Sequence, residues 1–126
     1  MLGDKDVTAV LAQKDLAAAR KFYEEVLGLK VIKEAADGGV AMQSGAGSIF
    51  LYVTPQNAGT NQATAAAWNV DDVAAIANDL KAKGVTMEHY DIPGATLEGD
   101  VHVMGSMKAI WFKDPGGNIL NVVSGM

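Results

Sequence analysis

Apolar residues along this chain recur at two different periods, and the changes of period divide it into elements. Residues 7–12, VTAVLA, form a β-rich opening run. From Asp15 the period lengthens: Leu16, Ala19, Phe22, Tyr23, Val26 and Leu27 recur three and four apart, which predicts one face of an amphipathic helix. Asp15 stands where an N-cap belongs and Gly28 where a helix ends. Residues 30–54 then break into three strand candidates, separated by Asp37-Gly38-Gly39 and by Gly45-Ala46-Gly47. A polar, Gly/Asn-rich stretch at about 55–64 reads as a linker.

After the linker the order repeats. Residues 65–70, AAAWNV, predict a strand, and residues 71–84 predict a helix with Val73, Ile76, Ala77 and Leu80 as its stripe. Residues 85–90 predict another strand. A looser stretch from Asp91 to Ser106 leads to two closing strands joined by Asp114-Pro115-Gly116-Gly117-Asn118. Strand for strand, Asp15 falls near Asp71 and Gly28 near Gly84. The expected organisation is one domain over 1–126, with module one at about 5–54 and module two at about 65–126. The fold class is α+β, two tandem βαβββ modules forming a curled mixed sheet around an open cavity. Each module covers one sheet face with its helix and leaves the other face for a partner or a ligand.

Composition narrows the function. The chain has 126 residues, no cysteine and a net charge of −5. Nucleic acid is not an expected partner, because phosphates need a basic face. Disulfides and thiolate sites are excluded. No apolar run approaches the ~18 residues of a membrane span, and no basic-then-apolar leader opens the chain. The expected setting is therefore cytoplasmic, without a membrane partner.

KDLAAARKFYEEVLGLKV, AAWNVDDVAAIANDLKAKGV and above all AIWFKDPGGNILNVV resemble the vicinal oxygen chelate superfamily, whose members include glyoxalases, extradiol dioxygenases, and fosfomycin- and bleomycin-resistance proteins. The resemblance covers nearly the whole chain. It implies paired modules around a cavity, a homodimer and, in the metal-using branches, four inward ligands on the first and last strand of each module. Those are commonly His and Glu. Counted along this chain, the four positions fall on Thr8, Phe50, Ala65 (counting back from Asp71) and Asn121. None carries an imidazole, carboxylate or thiolate, so no metal and no cofactor is expected.

Strand alternation around those four positions names the expected cavity lining. It comprises Thr8, Val10, Phe50, Tyr52, Ala65, Ala67, Asn69 and Asn121. Trp111, or Phe112 beside it, is expected to reach the pocket, with Trp111 favoured for stacking on a planar guest; Trp68 is expected in the core. The predicted function is metal-independent binding of a small apolar, planar or cationic compound, as in drug resistance by sequestration. The alternative is a metal-free lyase or isomerase in the same cavity, with His102, Tyr52 or Tyr90 moving protons. His89 and His102 lack a familiar metal spacing, and residues 91–106 are expected to give the cavity an acidic rim.

Overall fold

The computed structural model describes residues 1–126. The strands are β1 (Thr8–Gln13), β2 (Lys30–Glu34), β3 (Val40–Ser44), β4 (Gly47–Val53), β5 (Thr64–Asn69), β6 (Met87–Glu88), β7 (Thr96–Glu98), β8 (Val101–Met104), β9 (Met107–Lys113) and β10 (Ile119–Ser124). Helix α1 (Leu16–Lys21) follows β1 and α2 (Val73–Ala82) follows β5. This is an α+β fold of two modules. Contacts divide the chain into two compact units, residues 1–61 with 115–118, and residues 62–114 with 119–126. The sequence placed 115–118 inside module two, whereas those residues pack with the first unit.

In the first unit four strands run in the order β1-β4-β3-β2, with β1 parallel to β4 and the rest antiparallel. Asp15 caps α1 as expected, its carboxylate accepting from the Ala18 N–H. The helix does not run unbroken to Gly28. After Lys21 it widens into a π-helical stretch, Phe22–Val26, closed by the Leu27 N–H donating to the Phe22 carbonyl. Ala19 and Tyr23 are fully buried, and so are Leu11, Ile49, Leu51, Val40 and Met42 on the alternate positions of the strands. Thr8, Val10, Ala12, Ser48, Phe50 and Tyr52 occupy the opposite sheet face.

The second unit holds a six-stranded sheet, β5-β10-β9-β8-β7, with β6 pairing beside β9. Its helix is capped by Asp72, not Asp71: the Asp72 carboxylate accepts from the Ala75 N–H. Val73, Ala77 and Leu80 pack on the face made by Ile110, Phe112, Leu120 and Val122. Trp68 pairs with Val122 and shares that face, as alternation requires. The stretch 91–106 is less irregular than the sequence implied, because β7 and β8 form a hairpin within it. Its strands are three and four residues long, too short for alternation to stand out from the surrounding Gly and Asp.

The turn between β9 and β10 needs its two glycines for different reasons. Gly117 adopts φ 88°, a conformation that costs a side-chain-bearing residue. Gly116 needs no such φ. A Cβ there would lie 2.8 Å from the Ala12 carbonyl and 2.5 Å from the Gln13 Oε1. Asn118 does not take positive φ; its Nδ2 donates to that same Ala12 carbonyl at 2.8 Å. Gly116→Ala is therefore expected to destabilise the chain by about 1–3 kcal/mol through overpacking, read as a lowered denaturation midpoint.

Candidate functional site

Helix caps and strand pairing supply an internal check on the four ligand-equivalent positions. Thr8 stands seven residues before the cap Asp15, and Ala65 seven before the true cap Asp72. Two residues on, Val10 pairs with Phe50 in the first unit and Ala67 pairs with Asn121 in the second. The two units thus place Phe50 and Asn121 at equivalent points of their parallel strand pairs.

In the first unit Thr8 is exposed, and its Oγ1 shares a hydrogen bond of 2.8 Å with the Ser48 hydroxyl. Val10 is 59 % exposed. Phe50 and Tyr52, half-buried, stack at 6.4 Å with 17° between ring planes. The Phe50 ring lies over the Gly39 backbone, so close that a Cβ at Gly39 would meet its tip at 2.2 Å. Phe50 therefore lies along the sheet over Gly39 and, with Tyr52, makes this face aromatic. Away from these residues, a cleft of about 320 Å³ is lined by Leu27–Lys30 and Gln43–Gly45; the Gln43 side chain there donates to the Gly45 carbonyl.

The second unit carries more chemistry. On its face away from α2, Trp111 is the register partner of Asn121, and Ala109 of Val123. Ala67 and Asn69, exposed, continue this face along β5. A register shift between Ile119 and Leu120 sets Thr64 and Ala65 against a single partner, and it brings the Thr64 hydroxyl to the Trp111 indole N–H at 3.1 Å. Thr64 was missed by counting, because a bulge leaves no trace in periodicity. Asn121 is 8 % exposed and its Nδ2 donates to the Ile110 carbonyl at 3.0 Å. Phe112, 1 % exposed, belongs to the α2 side, so Trp111 is the aromatic residue on the open side.

Around Trp111 stand Tyr90, edge-on at 5.6 Å and 82°, and His102, edge-on at 4.9 Å and 89°. His102 is 1 % exposed. Its Nε2 accepts the Tyr90 backbone N–H at 3.0 Å and its Nδ1 lies 3.3 Å from the Ala109 carbonyl. These partners assign the neutral Nδ1–H tautomer, since a ring nitrogen facing an N–H must be an acceptor. Burial first, and then the Glu88 carboxylate, raise the Tyr90 phenol above its ordinary value, with Lys113 opposing. Outside the aromatic group, Asp100 receives the Lys81 ammonium and the His89 ring, each at 2.7 Å. Lys81 first, then His89, hold the Asp100 carboxyl below the usual carboxylate range. The acidic residues of 91–106 thus include one that is committed to an ion network.

The residues at the four ligand-equivalent positions do not fit a divalent metal. Phe50 and Ala65 are hydrocarbon, Thr8 offers a hydroxyl already shared with Ser48, and Asn121 spends its amide nitrogen on backbone. Each unit by itself presents an apolar and aromatic sheet face, Phe50 and Tyr52 beside the Thr8 hydroxyl in the first and Trp111 beside the Asn121 amide in the second.

A family model, Glyoxalase/Bleomycin resistance protein/Dioxygenase superfamily, matches residues 7–122. Solved structures share the fold at low identity. TnmS3, an antibiotic binding protein from Streptomyces sp. CB03234, is 19 % identical with a TM-score of 0.73, covering 98 % of each chain. The fosfomycin resistance protein FosX from Listeria monocytogenes is 17 % identical with a TM-score of 0.74, over 100 % of this chain and 95 % of the other. Lactoylglutathione lyase from Agrobacterium tumefaciens is 20 % identical with a TM-score of 0.71, over 97 % and 94 %. No helix is long and apolar enough to cross a membrane.

Proposed function

Since the chain belongs to the Glyoxalase/Bleomycin resistance protein/Dioxygenase superfamily, we propose that it binds a small molecule without a metal or cofactor, sequestering or carrying an apolar, planar or cationic compound. The observation that carries this reading is Trp111. It is half-buried, cornered by Tyr90, and pairs in register with Asn121, where metal-using relatives would place a ligand. A ring at that point can stack on a flat guest, whereas an amide tied to backbone cannot grip a cation. The structural likeness to an antibiotic binding protein and a fosfomycin resistance protein supports a resistance-like role. Thr8, Val10, Phe50, Tyr52, Ala65, Ala67 and Asn69 are proposed as further lining, and the assembly as a cytoplasmic homodimer without nucleic-acid or membrane partners.

Metal-free enzymology is the less favoured reading on chemical grounds. His102 has both ring nitrogens engaged by backbone groups, and burial first and then Glu88 raise the Tyr90 phenol above its ordinary value, so neither presents a free group poised for proton transfer. The test is a thermal-shift screen of planar aromatic and organic cationic compounds, run with a chelator present. A ligand at a hundred times its Kd adds about 2.7 kcal/mol of stability, which for a chain of this size is a shift of roughly 10 °C. Shifts that vanish in chelator would overturn metal independence.

A further inference from the structure

We propose that His102 is a positioning residue, an acid-sensitive latch that holds Tyr90 against Trp111. The inference adds regulation to the binding reading above and rests on it only for its biological purpose. The ring is a bridge between two backbone segments: it donates from Nδ1 to Ala109 on β9 and accepts at Nε2 from Tyr90, just beyond β6. Both ends of that bridge carry the aromatic pair, because Ala109 lies two residues before Trp111 and Tyr90 is the other ring.

A second proton would land on Nε2, turning an acceptor into a donor that points at an N–H. The bond to Tyr90 is then lost, and a cation is left buried among rings. Two donors facing each other at 3.0 Å cannot persist, so the Tyr90 segment must swing away from β8. The latch holds while the ring is neutral and opens when Nε2 takes up a proton.

The groups around the ring do not cancel this sense. His89, at 6.2 Å between ring centres, is bound to Asp100, which also holds Lys81 of α2. Lys81 first, and then His89, hold the Asp100 carboxyl below the usual carboxylate range, so this neighbour of the ring is already engaged and keeps its charge. The Tyr90 phenol is uncharged, its value raised by burial first and then by Glu88; Glu88 of β6, the register partner of Trp111, lies on the same face as the ring and is paired with Lys113 of β9 at 3.6 Å. On the flanking strands, Glu98 and Lys108 stand one position from His102's own partners, Leu97 and Ala109, and so alternate to the other face.

The experiment uses the unliganded chain, so its outcome is independent of whether any guest is found. Imidazole nitrogen spectra and Tyr90 amide exchange are followed from pH 8 to pH 5, together with tryptophan fluorescence. At pH 8, His102 Nε2 should be unprotonated and the Tyr90 amide protected. Protection should fall by roughly tenfold or more in the same transition that protonates His102, since each lost 1.4 kcal/mol is a factor of ten. His102→Gln, whose carbonyl oxygen reaches the Nε2 position without titrating, should keep Tyr90 protected across the range. His89→Ala should leave the transition in place. A proton on Nε2 at pH 8, or acid release of Tyr90 in His102→Gln as in the parent chain, would overturn the latch. Should His102→Gln fail to fold, the parent chain's nitrogen spectra alone decide.

Discussion

Trp111→Ala should abolish the stabilisation that a bound guest confers while leaving the chain folded. The ring is the one large aromatic surface on β9 that faces away from α2, and its own contacts are modest: an edge-on pair with Tyr90, another with His102, and one hydrogen bond to Thr64. Stacking and burial of such a ring on a planar ligand account for a large part of what a site without charges can offer. The expected result is a shift of roughly 10 °C for the best ligand in the parent chain, falling to about zero in the variant. Trp111→Phe should retain part of it, since the indole N–H serves Thr64 and not the guest. A full shift in Trp111→Ala would place the guest elsewhere.

Phe112→Ala should do the reverse. One residue along the same strand, Phe112 turns to the α2 side and is 1 % exposed, beside Leu120 and Met87. Deleting a buried ring of this size costs about 3–5 kcal/mol. Against a total stability of about 5–15 kcal/mol, that is enough to unfold much of the population at moderate temperature. Denaturant unfolding should show the midpoint falling sharply, with any remaining folded fraction still binding. Loss of binding with an unchanged midpoint would mean that the faces have been assigned the wrong way round.

Alternation was legible in the sequence, because a strand has a period of two and a wrong register would expose the core, but it left open whether Trp111 or Phe112 turned to the pocket side; pairing with Asn121 puts Trp111 on that residue's face. Periodicity also placed both helices and gave Asp15 its cap. Setting Asp15 against Asp71 was off by one at the second helix, whose cap is Asp72; the two aspartates offer the same chemistry, and only the folded backbone settles which of them caps. The widening after Lys21 was hidden for a related reason, since π and α turns bury nearly the same residues. Strand pairing brought Thr64 to Trp111 through a bulge, and the chain's return along β8 brought His102 to Tyr90, twelve residues earlier. Neither encounter is local, and neither partner is distinctive by composition. In the turn at Gly116, a glycine that the sequence offers only as part of a tight reversal is required by a carbonyl on a strand about a hundred residues away.

The central claim is that none of Thr8, Phe50, Ala65 and Asn121 is a side chain that a divalent metal will take as a strong ligand, so that the proposed binding is by shape and burial alone. The most direct test is elemental analysis of protein purified without chelators and without a metal-affinity tag. Zinc, nickel, manganese and iron should each be found well below one equivalent per chain, and titration with these ions should produce no saturable binding. One tightly held equivalent, lost together with the guest-induced stabilisation when it is stripped, would contradict the account.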